Sequence, residues 1–129
     1  MKRLVLTLFL LLAPSLAVAQ NDIAEGQQAL HADITITAAS GDQTILSAVS
    51  GKKIRVLGYA LVTDTASALT WESGGSTAIS GAMTFAANGG IAAPPSKWGY
   101  IETLDGESLV LNVGTAATVG GHVTYVLVD

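Results

Sequence analysis

A chain of 129 residues with no cysteine, six basic and ten acidic residues has no disulfides and no thiolate metal ligands. It also lacks the basic stripe needed to follow a phosphate backbone, so nucleic acid is excluded as a partner, and its acidic balance serves solubility. Half of it is hydrophobic and only 12% is charged, which calls for an apolar core of its own, and the length suits one domain.

The chain opens with Met1, Lys2 and Arg3, then an apolar run from Leu4 to Ala13 broken only by Thr7, then Pro14 and Ser15. Ala17-Val18-Ala19-Gln20 supplies the small residues read by signal peptidase, so residues 1–19 form a secretory signal peptide, with cleavage between Ala19 and Gln20. A spanning helix needs about 20 apolar residues, which this run does not reach, and no stable membrane insertion is expected after cleavage. The product is exported: periplasmic, secreted or at the cell surface. Its basic residues are Lys52, Lys53, Arg55 and Lys97.

Residues 20–32 are polar and weakly patterned and read as a flexible N-terminal arm. Residues 33–129 form the β domain, with short apolar runs set between Gly, Pro, Asn, Asp and Ser clusters about every ten residues. Ile34 and Ile36 alternate with Thr35 and Thr37 in the first strand, and Ser40-Gly41-Asp42 reads as a turn into a strand from Thr44 to Val49. After Ser50-Gly51 the run Ile54 to Thr63 is apolar on both faces, with Ile54, Val56, Gly58, Ala60 and Val62 on one side and Arg55, Leu57, Tyr59, Leu61 and Thr63 on the other. Such a strand is central or covered by another subunit. Leu57, Tyr59 and Leu61 are therefore the candidate subunit interface.

Leu69 and Trp71 share a face in the next strand, and Met83 and Phe85 in the short strands around Gly81. Pro94-Pro95 marks an edge or crossing loop, because proline donates no ladder hydrogen bond. Trp98 to Thr103 reads as a strand, followed by a hairpin turn at Asp105-Gly106. Leu109, Leu111 and Val113 alternate, Gly114 to Gly121 reads as a small-residue loop, and His122 to Asp129 closes the chain. The pattern gives an all-β fold, a two-sheet antiparallel sandwich of jelly-roll type with 8–9 short strands; an immunoglobulin-like sandwich is the alternative.

The motifs of catalysis are missing. Gly106-Glu107-Ser108 runs on into Leu109 and Val110 and is no nucleophile elbow. The glycines at 114, 120 and 121 flank no phosphate-binding lysine. Asp105 and Glu107 flank a turn glycine and not the two sides of a cleft. Asp42, Asp64 and Asp105 are isolated, without the oxygen-rich run that calcium requires. His31 and His122 would have to meet each other or a carboxylate in space to bind a metal or act in catalysis. The reading is of a non-enzyme with no cofactor and no metal. Trp71, Trp98 and Tyr100 are candidates for a sugar-stacking surface, set against a core or subunit role for the same rings.

From Ala39 to Val128 the chain resembles small structural proteins of tailed phages and prophages. The resemblance rests on Ser40-Gly41-Asp42, on Ala48-Val49-Ser50-Gly51-Lys52-Lys53-Ile54-Arg55-Val56 and on Ala86-Ala87-Asn88-Gly89-Gly90. It continues through Trp98 to Thr103, Gly106-Glu107-Ser108-Leu109 and Val119-Gly120-Gly121-His122-Val123-Thr124-Tyr125. It implies a jelly-roll unit packing as a trimer or larger homo-oligomer on a virion surface, as a capsid decoration or tail-associated protein. The export signal points instead to a subunit of an extracellular filament or coat. A secreted carbohydrate-binding or adhesin module, with surface glycans as partners, is the alternative in a different class.

Overall fold

A computed structural model describes residues 27–129. The expected export signal, its cleavage point at Ala19 and Gln20, and the arm up to residue 26 lie outside the described residues. Eight strands follow: β1 (Leu30–Leu46), β2 (Lys53–Thr63), β3 (Ser67–Ser73), β4 (Thr77–Ala78), β5 (Met83–Phe85), β6 (Gly90–Ala93), β7 (Ile101–Glu102) and β8 (Leu109–Val128). Every pairing is antiparallel. Among the described residues no helix is long and apolar enough to cross a membrane.

The architecture is organised by one long ribbon. β1 and β8 pair from Leu30↔Tyr125 to Leu46↔Leu109, with register shifts on either side of Ala39. There Ala38 and Gly41 take φ values of 45° and 77° and the ribbon bends. On its other edge β8 pairs with β2 through Val119–Val128 and with β3 through Leu109–Val113. The ribbon therefore belongs to two sheets. The first runs β1 (30–36), β8 (119–128), β2, with β6 and β7 along the far edge of β2; the second runs β1 (41–46), β8 (109–113), β3, with β5 and β4 beyond. That order is a jelly roll whose corner is made by strands that switch sheets at bulges.

The inner faces close on one core. Ile34, Ile36, Ile54, Val56, Leu61, Val119 and Val123 of the first sheet meet Leu69, Trp71, Leu109, Leu111 and Val113 of the second. Removing these branched and aromatic side chains from water is the main driving force for closure.

The sandwich matches the sequence expectation, and several local features differ from it. Ser40-Gly41-Asp42 does not separate two strands, and residues 114–121 continue as strand within β8. A positive φ serves a bulge as readily as a turn, and the small residues of this stretch let the ribbon bend while its ladder persists. Leu30, His31 and Ala32, expected in the arm, join β1, because Ala32 packs on the core and all three pair with β8. The strand expected from Trp98 shrinks to Ile101–Glu102.

In β2 the register shifts between Val56 and Gly58. An extra residue in a period-two strand exchanges its faces. Ile54 and Val56 point inward before the bulge, and Tyr59, Leu61 and Thr63 after it, so Val62 is outside with 57% of its surface exposed.

Candidate functional site

The most unusual surface lies along the far edge of β2, between β6 and β7. Pro94 and Pro95 have no N–H to offer β2, and the chain leaves the sheet there. It stays tethered, because Ser96 N–H donates to the Leu57 carbonyl (2.8 Å) and Tyr100 N–H to the Val56 carbonyl (2.8 Å). Gly99 N–H donates to the Ser96 carbonyl (3.0 Å), and the Tyr100 hydroxyl reaches back to the Pro94 carbonyl (2.8 Å). Gly58 makes the close approach feasible, since a Cβ there would stand 2.9 Å from Pro95 N. Residues 94–100 thus form a loop clasped on itself and bonded to a central strand.

Trp98 stands at the tip with 80% of its surface exposed. The Lys97 ammonium lies 5.3 Å from its ring centroid, within cation–π range. Tyr100 is 47% exposed, and its ring meets Tyr59 edge-on at 6.1 Å. Tyr59 in turn meets Trp71 edge-on at 5.5 Å. Three rings therefore run from the core to the surface. Burial pushes the Tyr59 hydroxyl pKa upward; the nearby Trp71 indole N–H opposes that shift, and Tyr100 adds to it. Among the described residues the indole N–H nevertheless meets no acceptor in hydrogen-bond geometry. The Tyr59 hydroxyl points to the Met83 sulfur at 3.7 Å.

Three of the basic residues, Lys52, Lys53 and Arg55, stand at the start of β2, and the Arg55 side chain lies against Gly99 of the loop. Arg55 Nε donates to Glu102 (2.7 Å), Lys53 lies 3.8 Å from the same carboxylate, and Lys52 pairs with Asp129. Exposed pairs of this kind contribute little to stability. Beside them Leu57, Val126 and Val128 form a small second cluster on the outer face of the first sheet.

The structure distributes the expected site residues unevenly. Trp71 is wholly buried and offers no face to a sugar, because strand alternation in β3 turns it inward. Trp98 and Tyr100 are exposed and close in the chain, yet they sit on a loop and not on one strand face. The bulge separates the three interface candidates: Leu57 is in the outer cluster, Tyr59 is half-buried between the sheets, and Leu61 is in the main core. Leu104, not singled out from the sequence, is also exposed, three residues past β7's first residue.

The acidic residues have local duties. Glu107 accepts from the Ser73 hydroxyl, and Asp42 from the Asn112 amide. Asp64 accepts from Thr118 N–H at 2.8 Å, and this backbone bond chiefly holds its carboxyl below the usual range. Among the described residues no group of three or more His, Asp or Glu is close enough to hold a metal ion as it stands. His31 and His122 do meet, with ring centroids 5.1 Å apart. Only the β1–β8 pairing brings them together, and the sequence carried no signal for it.

No protein-family model matches this chain, and no curated protein matches it. Among solved structures, it is similar to a chain of the cyanophage Pam1 capsid asymmetric unit. The identity is 19% and the TM-score 0.44, with 88% of this chain and 99% of that chain covered. A likeness at that level carries no statement about role.

Proposed function

We propose that this chain is a non-enzymatic structural subunit that assembles with other copies of itself, as a trimer or larger, on a virion surface or in an exported coat or filament. One observation carries the reading: Trp98 and Tyr100 are exposed on a loop that is hydrogen-bonded to itself and to β2. A protruding tryptophan on a rigid support suits insertion into a neighbouring surface, and Trp and Tyr are the residue types enriched in the centres of protein interfaces. β1 adds a second contact surface. Among the described residues it pairs only with β8, and its other edge is open to strand addition.

Light scattering on size-exclusion peaks across a concentration series tests the proposal. A defined oligomer, dissociating on dilution, is the expected result. A strict monomer at millimolar concentration would overturn it.

The exposure of Trp98 and Tyr100 also favours a second reading, a glycan-binding module that stacks sugar rings on these two side chains. It requires glycan-array binding that Trp98→Ala abolishes. A blank array for the wild-type protein dismisses it.

A further inference from the structure

We propose that His31, Asp33 and His122 form a site for one divalent transition-metal ion of the zinc, nickel or cobalt class, on the outer face of the first sheet. The placement follows from the backbone. His31 and Asp33 are two apart in β1 and therefore share a face. Asp33 and His122 are direct cross-strand partners, and His122 lies diagonally from His31. Three potential ligands thus stand at the corners of a small triangle on one sheet surface, with both histidines of the chain among them.

The distances are close to those an ion needs. His31 Nε2 lies 3.9 Å from Asp33 Oδ1, and the two imidazole centroids are 5.1 Å apart. Ligand atoms held at about 2.0–2.2 Å round a tetrahedral ion stand roughly 3.4 Å from one another. The carboxylate–imidazole pair therefore needs to close by only about half an ångström. The three side chains are not drawn in that far here. Side-chain rotation into solvent can close the remaining gap, because the side chains of His31 and Asp33 are 58% and 87% exposed and His122 is exposed as well.

Among the described residues the neighbours of His122 on this face are small. Across β2 the partner of His122 is Ala60, and its same-face neighbours along β8 are Gly120 and Thr124. Two imidazoles and one carboxylate suit a borderline transition metal and disfavour calcium or magnesium, which prefer sites built from oxygen alone. Three protein ligands also leave a coordination position open to water or to a group from another molecule. The ion would clip the first half of β1, an edge strand, to β8.

The test is a zinc titration of the intact protein, followed by calorimetry and by NMR of the two imidazoles. The expected result is one saturable 1:1 event in which both histidines respond together, with no response to magnesium. His31→Ala and His122→Ala should each weaken binding by about tenfold or more, and Asp33→Asn should weaken it too. Far-UV circular dichroism of the metal-free variants checks the fold, and His→Gln replaces any Ala variant that fails this check. Independent titration of the two histidines, or wild-type affinity in either histidine variant, would overturn the site. Neither result bears on self-assembly, which is read separately by light scattering.

Discussion

β3 and the loop at residues 94–100 each carry one of the chain's two tryptophans and treat it in opposite ways. In β3 the side chains alternate strictly, with Ser67, Leu69, Trp71 and Ser73 buried and Ala68, Thr70 and Glu72 half-buried outside. In the loop no period exists, and position depends on which β2 carbonyls the backbone N–H groups reach. The same residue type is core in one case and surface in the other. Burial in a strand is set by parity; burial in a loop is set by tethers that a local pattern does not record.

The comparison makes quantitative demands, largest first. Trp71→Ala removes the largest side chain of the core and should cost about 3–5 kcal/mol, read from urea or guanidinium unfolding. A cost near zero would mean that the two sheets do not close as described. Ser73, on the same inward face, tests whether a polar core position obeys a different rule. Its hydroxyl accepts from Leu104 N–H at 2.9 Å and donates to Glu107. Ser73→Ala takes the acceptor from the part-buried Leu104 N–H and a donor from Glu107, and should cost about 1–3 kcal/mol.

The contrast also explains what could be read from the sequence. Ile34 with Ile36, Leu109 with Leu111 and Val113, and Leu69 with Trp71 are all buried, as their alternation required, and these runs suffice for a jelly-roll sandwich. The bulge in β2 escaped because Ile54 to Val62 is apolar at both parities, so an exchange of faces leaves no mark in the pattern. The bend in the ribbon escaped because Gly, Ser and Asp signal positive φ without saying whether a turn or a bulge uses it. The tethering of the Trp98 loop and the meeting of His31 with His122 are long-range facts, fixed by partners far along the chain.

A smaller effect sits on the outward face of β3. Burial, and then the neighbouring Asp42 carboxylate, push the Glu72 pKa above its ordinary 4.5. Because the folded value exceeds the unfolded one, the folded state holds the proton more tightly. This group's stabilising contribution is therefore complete below pH 4.5 and is lost as pH rises through the raised value. Glu72→Gln should remove that decline, and thermal melts of both proteins across the acidic range should converge at low pH and separate toward neutral. Parallel curves at every pH would show that the carboxylate is solvated like any exposed one.

Trp98→Ala has the smallest predicted effect on stability and the sharpest consequence for function. The ring is mostly in water, and the loop is held by backbone bonds from Ser96, Gly99 and Tyr100 that do not involve it. Unfolding free energy should change by no more than about 0.5 kcal/mol. Self-association should weaken on the order of tenfold or more, as expected when an anchor tryptophan leaves an interface. A single-tryptophan protein, Trp71→Phe, then isolates the emission of Trp98. That emission should shift to shorter wavelength as concentration rises and the ring enters a drier contact. A shift without any change in mass would assign the ring to a ligand surface or to movement within the monomer, and the comparison with Trp71 would then describe mobility instead of assembly.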